Sequence, residues 1–169
     1  MANECFAPLN ELAKTLPAYL RQVAQDQPPW QEHFGFDCVP IGNEWIEREP
    51  ALRSLNRVHP IKQLGLLKVP AWTMYDWHID AYRLSCVNML ISEDHHSHTL
   101  FGRQINDMNK SVQELQYKPD TYYLFNNQHK HCVINLDSDR HLLSLYFSQE
   151  IAYNRLLCLA QAADLVEVA

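Results

Sequence analysis

The most restrictive feature of this sequence is a succession of short β-type segments between Leu64 and Phe147, separated by polar turn clusters. Each segment is rich in β-branched and aromatic residues, which favour strands. Many short strands at close, regular spacing are typical of an all-β sandwich or barrel. The predicted strands are Leu64–Val69, Trp72–His78, Leu84–Ser92, Thr99–Ile105, Thr121–Asn126, Lys130–Leu136 and Arg140–Phe147.

Helical patterns flank the β-type region. Apolar residues fall at helical spacing within the first 25 residues, with Pro17 beginning a second helical piece, and Ser148 is placed to cap a final helix. The chain has 169 residues, only four glycines and no internal repeat, so a single domain is expected. The predicted parts of residues 1–169 are a helical and irregular segment (1–63), a β core (64–147) and a C-terminal helix (148–169).

Composition excludes several classes of function. The formal net charge is −6 and no basic run occurs, which argues against nucleic-acid binding, because that needs clustered lysine and arginine. No apolar stretch approaches the roughly 18 residues of a membrane span. The five cysteines contain no CxxC pair and no export signal precedes them, so we expect a cytoplasmic protein with reduced thiols.

A histidine and an aspartate close the second predicted strand. Side chains alternate along a strand, so His78 and Asp80 point to the same side while Ile79 points away. Nine histidines in 169 residues is an unusually high number, and imidazole is the commonest metal ligand. The pair therefore predicts two ligands of one metal ion, although a surface pair at a strand end would have the same sequence.

The last two predicted strands are joined by the turn-like residues Leu136 to Asp139, which indicates a hairpin. That register places an arginine on a mostly apolar face, where its charge is costly unless an anion meets it. The anion could be a protein carboxylate or a small carboxylate ligand held by the guanidinium. The residues predicted to share this face are His131, Val133, Asn135, Arg140, Leu142 and Ser144.

Two histidines and one carboxylate with open coordination positions are the ligand set of non-haem Fe(II) oxygenases. The sequence resembles the Fe(II)/2-oxoglutarate-dependent oxygenases, in particular their aspartyl/asparaginyl β-hydroxylase-like and proline-hydroxylase-like branches. The resemblance spans about Leu64 to Phe147 and rests on two motifs. These are His78-Ile79-Asp80, and His131-x-Val133-x-Asn135 followed by Arg140.

The resemblance implies a mainly β, double-stranded β-helix (jelly-roll, cupin-like) fold with flanking N- and C-terminal helices. It implies that His78, Asp80 and His131 ligate Fe(II), with no catalytic residue beyond the metal site. It also implies that Arg140 binds the distal carboxylate of 2-oxoglutarate. His129 shares the face of His131 and competes with it for the third ligand position.

Three further residues are candidates for contacts at this site. Asn88 and Ser144 carry groups that could hydrogen-bond the carboxylate oxygens of the co-substrate, and Arg83 follows the first motif closely enough to contact substrate or co-substrate. The sequence is equally compatible with a purely structural role for each of these side chains.

The leading hypothesis is a dioxygenase that uses Fe(II), O₂ and 2-oxoglutarate to hydroxylate an amino acid, a peptide side chain or a small acid. Two alternatives remain open from the sequence. One is a cupin-type metalloenzyme that does not use 2-oxoglutarate. The other is a non-catalytic β-sandwich that binds a small acid through Arg140.

Overall fold

The computed structural model of the protein describes residues 3–33, 35–93, 96–104 and 110–167; Ile105, the predicted end of one strand, lies outside them. Within these ranges the strands are β1 (Phe6–Pro8), β2 (Gln31–His33), β3 (Phe36–Ile41), β4 (Ile61–Val69), β5 (Met74–His78), β6 (Ser85–Leu90), β7 (Ser97–Gln104), β8 (Lys110–Glu114), β9 (Tyr123–Asn126), β10 (His131–Asn135) and β11 (Arg140–Phe147). The helices are α1 (Leu16–Gln25), α2 (Glu44–Arg48), α3 (Pro50–Val58) and α4 (Tyr153–Ala162).

The strands form two sheets whose neighbouring strands are all antiparallel. The larger sheet has seven strands in the order β1-β9-β6-β11-β4-β3-β2, and the smaller has four in the order β5-β10-β7-β8. Strands that follow each other in the sequence can belong to different sheets, as β10 and β11 do. The prediction of a mainly β, jelly-roll fold with flanking helices is confirmed.

Strand β11 shows how the larger sheet separates a helix-covered core from the space between the sheets. Leu143 and Leu145 are fully buried in one apolar cluster with residues of α1, α3 and α4. Because side chains alternate along a strand, Arg140, Leu142 and Ser144 lie on the opposite face. Burial of apolar area against the helices stabilises the sheet and leaves that second face available for a cavity.

The N-terminal part differs from its prediction. A helix was expected over the first 25 residues, but Phe6–Pro8 forms a strand paired with β9, and α1 begins only at Leu16. The backbone N–H groups of Leu9 and Ala13 donate to carbonyls near the start of β9, at 2.8 Å each. Pairing with a distant strand therefore overrides an apolar spacing that resembles a helix.

The structure differs from the sequence prediction in three further places. The segment predicted to be irregular contains β2, β3, α2 and α3, because β3 gains its order by pairing with β4. Strand β8 was not predicted, and among the described strands it pairs with β7 alone. The last helix begins at Tyr153 after Ala152, so Ser148 does not cap it; the Ser148 N–H instead donates to the Pro60 carbonyl at 2.8 Å.

No described helix has the length and apolarity needed to cross a membrane. None of the five cysteines forms a disulfide bond.

A buried glutamate between α2 and α3 is hydrogen-bonded to the start of α1. The Glu49 carboxylate is fully buried and accepts hydrogen bonds from the backbone N–H groups of Lys14, Thr15 and Leu16 and from the Thr15 hydroxyl, at 2.7–3.0 Å. Burial alone would raise the pKa of Glu49, but these hydrogen bonds outweigh it and hold the pKa below its usual value. Negative charge at the start of a helix is also favoured by the helix dipole.

We expect Glu49→Gln to lower the free energy of unfolding by about 1–3 kcal/mol at neutral pH, because a neutral amide is a weaker acceptor. A carboxyl with a lowered folded-state pKa contributes its stability above its ordinary pKa and loses it as the pH falls through the lowered value. The difference between wild type and variant in urea unfolding should therefore shrink in acid. Glu47→Gln, an exposed position of α2, is the control and should change stability little. A constant difference across the pH range would contradict the role of the charge.

Candidate functional site

Strands β5 and β10 bring the two predicted histidine ligands together. They pair antiparallel with His131 directly opposite His78, and Asp80 follows two residues after the end of β5. Asp80 Oδ1 lies 3.4 Å from His78 Nε2 and 3.8 Å from His131 Nε2. One ligand atom from each residue lies within 4.8 Å of the others. Two imidazole nitrogens and one carboxylate oxygen thus converge on one point.

Hydrogen bonds to the backbone orient both imidazole rings. His78 Nδ1 donates to the Asp76 carbonyl at 2.6 Å, and His131 Nδ1 donates to the His129 carbonyl at 2.8 Å. A neutral histidine that donates through Nδ1 keeps the lone pair on Nε2, which is the nitrogen that faces Asp80 in both residues. His131 rather than His129 lies in the cluster, and His129 contributes a backbone carbonyl that orients it.

Two of the three side chains have protonation states that suit metal binding, and the third shares a proton with its neighbour. Burial lowers the pKa of His131 to about 4, so its ring is neutral at physiological pH. Burial opposes the charge of Asp80, but the hydrogen bond with His78 and the positive charge of Arg83 outweigh it and lower its pKa to about 2. Burial would also lower the pKa of His78, yet its hydrogen bonds to Asp80 and the Asp76 carbonyl raise it. A cation bound among these groups would replace the proton that His78 shares with Asp80.

The cluster opens into a cavity of about 540 Å³ between the two sheets. The smaller sheet contributes His131 and Val133, and the larger sheet contributes Arg140, Leu142 and Ser144, all of which line it. The predicted hairpin register was wrong, because β10 and β11 belong to different sheets and pair with other strands. The five residues nevertheless line one cavity, because the two strands face each other from opposite sheets of the sandwich.

Asn135 was also predicted on this face, but its side chain contacts backbone carbonyls instead of lining the cavity. Its amide nitrogen donates to the carbonyls of Val69, Pro70 and Ser138 at 2.8–2.9 Å. Asn135 therefore fixes the end of β10 and the turn into β11, outside the group of cavity-lining residues.

Arg140 is a buried cation without a protein counter-ion among the described residues. It is 2% exposed, and its Nη2 donates to the Thr99 hydroxyl at 2.8 Å. Its Nε and Nη1 have no hydrogen-bond partner in the described chain, and its guanidinium lies 5.5 Å over the Tyr117 ring. Burial works against this charge and lowers the pKa of Arg140, but an arginine side chain stays protonated. An unpaired buried guanidinium is costly, and an anion in the cavity would satisfy it.

Tyr117 and Thr99 complete the Arg140 end of the cavity, and neither was predicted from the sequence. The Tyr117 hydroxyl is buried without a hydrogen-bond partner among the described residues, and burial raises its pKa to about 12, so it stays protonated. It therefore offers a second donor beside Arg140. Tyr117 follows a strand that the sequence pattern did not reveal, so no local signal marked it.

The remaining candidates lie on the same cavity wall. Asn88 and Ser144 sit opposite each other on β6 and β11, and the Asn88 amide oxygen is buried without a partner in the described chain. Arg83 donates from Nε to Asp80 Oδ2 and from Nη1 to the Ser144 hydroxyl, at 3.0 Å each. Its guanidinium also lies 4.7 Å over the Tyr146 ring. A contact between Arg83 and substrate stays a prediction.

Apolar and aromatic side chains surround the cavity mouth. Tyr82 and Ile79, which flank Asp80, are 89% and 53% exposed, so large apolar groups face solvent beside the cluster. Phe36 from the β2–β3 region contacts Tyr75 edge to face with 5.7 Å between ring centroids. The N-terminal part of the chain, for which no site role was predicted, thus contributes residues to the cavity lining.

The sequence matches no family model and no curated protein. Solved structures share its fold. A prolyl hydroxylase from Trichoplax adhaerens, in complex with a hypoxia inducible factor peptide fragment, is 12% identical, with a TM-score of 0.64 over 92% of this chain and 87% of that one. A prolyl-4-hydroxylase from Pseudomonas putida is 10% identical, with a TM-score of 0.63 over 88% and 95%.

A protein of the 2OG-Fe(II) oxygenase family from Burkholderia pseudomallei is 12% identical, with a TM-score of 0.58 over 80% of each chain. At these identities the similarity concerns the arrangement of the backbone. The chain therefore has the fold of the 2OG-Fe(II) oxygenases.

Proposed function

We propose that this protein is an Fe(II)- and 2-oxoglutarate-dependent dioxygenase that hydroxylates a peptide side chain or a small molecule. The observation that carries the proposal is the position of Arg140. This buried cation has two unpaired donors in the described chain and lines the same cavity as the cluster of His78, Asp80 and His131. A metal site alone fits many reactions, whereas a metal site that shares its cavity with a buried arginine lacking a counter-ion among the described residues fits a reaction with a carboxylate co-substrate.

The three clustered residues fit Fe(II). Two neutral imidazoles and a carboxylate on one side of an ion leave its other positions open, as in non-haem iron oxygenases. His78 and His131 would bind through Nε2, since their Nδ1 atoms are engaged by the backbone, and Asp80 through Oδ1. When bound there, Fe(II) would supply the activation of O₂ that couples decarboxylation of 2-oxoglutarate, to succinate and CO₂, to hydroxylation of a C–H bond.

The Arg140 end of the cavity fits the distal carboxylate of 2-oxoglutarate. A guanidinium binds a carboxylate through charge-assisted hydrogen bonds, and Arg140 has the N–H groups of Nε and Nη1 available to donate them. The Tyr117 hydroxyl can add a third donor. Ser144 and Asn88 line the wall of the same cavity, and we propose that they orient the co-substrate by hydrogen bonds.

The cavity walls determine what kind of substrate group can approach. Leu67, Val69 and Leu142 line the wall formed by the larger sheet, so much of the cavity surface is apolar. Exposed Tyr82 and Ile79 extend this apolar surface to the entrance. These features favour a substrate that presents an aliphatic or aromatic group to the site. The Trichoplax prolyl hydroxylase of the same fold binds a peptide, which makes a peptide side chain one candidate.

Spectroscopy of the complete protein tests the proposal. Under anaerobic conditions, Fe(II) followed by 2-oxoglutarate should produce a visible charge-transfer absorption, and exposure to air should then yield succinate. Zn(II) with 2-oxoglutarate is the control and should produce neither. Tight Fe(II) binding without any response to 2-oxoglutarate would instead support a metalloenzyme of another kind. Failure to bind Fe(II) would leave a small-acid-binding protein as the better account.

A further inference from the structure

The two oxygens of the Asp80 carboxylate have different surroundings. Oδ1 faces the two histidines, at 3.4 and 3.8 Å from their Nε2 atoms. Oδ2 accepts hydrogen bonds from the Asn127 amide nitrogen at 2.5 Å and from Arg83 Nε at 3.0 Å. The side chain is largely buried, so these contacts are shielded from water. One oxygen is therefore available to a cation, and the other is engaged by the protein.

Asn127 is itself held in place by its neighbours. It is fully buried, its backbone N–H donates to the Leu84 carbonyl, and its carbonyl accepts from the Asp80 N–H, both at 3.2 Å. Its side-chain oxygen accepts a hydrogen bond from the Cys86 thiol, also at 3.2 Å. An inverted amide would direct its oxygen at the Asp80 carboxylate and its nitrogen at the thiol. The surroundings thus specify the orientation that donates to Asp80.

We propose that Asn127, with Arg83, is a positioning residue of the metal site that restricts Asp80 to coordination through Oδ1 alone. Carboxylates bind metal ions through one oxygen or two, and a second oxygen would occupy a further coordination position. The chemistry proposed above needs open positions for the co-substrate and O₂. The inference rests on the proposed function, since it assigns a role around the same metal ion.

Titration with Co(II), whose visible spectrum depends on coordination number, tests this role without relying on turnover. Asn127→Ala should weaken Co(II) binding by about 10–100-fold, the usual effect of removing a residue that orients a ligand. Its Co(II) spectrum should also shift towards a higher coordination number, because Asp80 can then turn and bind through both oxygens. Gln128→Ala is the matched control. Gln128 is the next residue of the same turn and donates to the Asp80 backbone carbonyl rather than to its carboxylate.

The outcomes separate the inference from the proposed function. If wild type does not bind Co(II), the metal site and with it the proposed function are contradicted. If wild type binds Co(II), and Asn127→Ala binds it with equal affinity and an identical spectrum, the positioning role is overturned while the proposed function stands. A melting temperature of each metal-free variant shows whether it is folded.

If Asn127→Ala does not fold, Arg83→Met tests the inference instead, because it removes the other hydrogen-bond donor to Asp80 Oδ2. Arg83 is not fully buried, so the substitution is less disruptive than a change in the core. A Co(II) spectrum shifted towards a higher coordination number supports the inference. A spectrum identical to that of wild type overturns it.

Discussion

Replacing Arg140 with methionine is expected to raise the 2-oxoglutarate concentration needed for half-maximal succinate formation by on the order of 100-fold or more, because a buried charge-assisted pair is lost. Fe(II) affinity should remain close to that of wild type, since Arg140 is absent from the cluster that would hold the ion. Arg140→Lys keeps the positive charge but loses the planar guanidinium and its several N–H donors, so its effect on the 2-oxoglutarate requirement should be intermediate. Steady-state kinetics and anaerobic Fe(II) titration measure the two quantities separately.

The same variant should not destabilise the ligand-free protein. Arg140 has two unpaired donors in the described chain, and methionine fills a similar volume without a charge to desolvate. We therefore expect the melting temperature of ligand-free Arg140→Met to equal or exceed that of wild type. A large loss of stability together with an unchanged 2-oxoglutarate requirement would show that Arg140 has a structural role instead.

Replacing His131 with alanine should weaken Fe(II) binding by more than about 100-fold and abolish succinate formation, because a ligand matters more than the residues that orient it. His129→Ala is a matched control from the same segment. It keeps the backbone carbonyl that orients His131, so Fe(II) affinity should be unchanged. Fe(II) titration and the melting temperatures of the metal-free variants check both.

The reverse result would identify a different ligand. If His129→Ala lost Fe(II) while His131→Ala retained it, the cluster in the structure would not be the metal site. If both variants retained Fe(II), the ion would be held elsewhere.

Two of the three candidate metal ligands could be grouped from the sequence because they are close together in the chain. His78 and Asp80 are two residues apart at a strand end, where alternation alone places them on one side. The addition of His131 depended on family resemblance. The structure explains that addition through the pairing of β5 with β10, a contact between segments about 50 residues apart that alternation cannot reveal.

Arg140 and His131 line one cavity, although the hairpin that placed them on one face in the prediction does not exist. The turn between β10 and β11 resembles a hairpin, but its residues bond elsewhere: the Leu136 carbonyl accepts from Trp72 and its N–H donates to the His96 carbonyl. The chain thereby crosses from one sheet to the other. Alternation along each strand still holds, so the predicted face became a pair of facing walls around the cavity.

Residues whose roles depend on distant contacts were missed. Asn127 lies in an ordinary turn, and only the fold brings its amide to Asp80. Tyr117 reaches Arg140 from a segment without a strand pattern, and β1 gains its order from β9. Such contacts join segments of the chain that local periodicity treats as independent.

A crystal structure with Mn(II) and N-oxalylglycine, an unreactive analogue of 2-oxoglutarate, tests the central claim most directly. The account predicts one metal ion bound by Nε2 of His78, Nε2 of His131 and Oδ1 of Asp80. It also predicts the distal carboxylate of the analogue within hydrogen-bond distance of Arg140 Nε or Nη1. A metal ion at other residues, or an analogue bound away from Arg140, would contradict it.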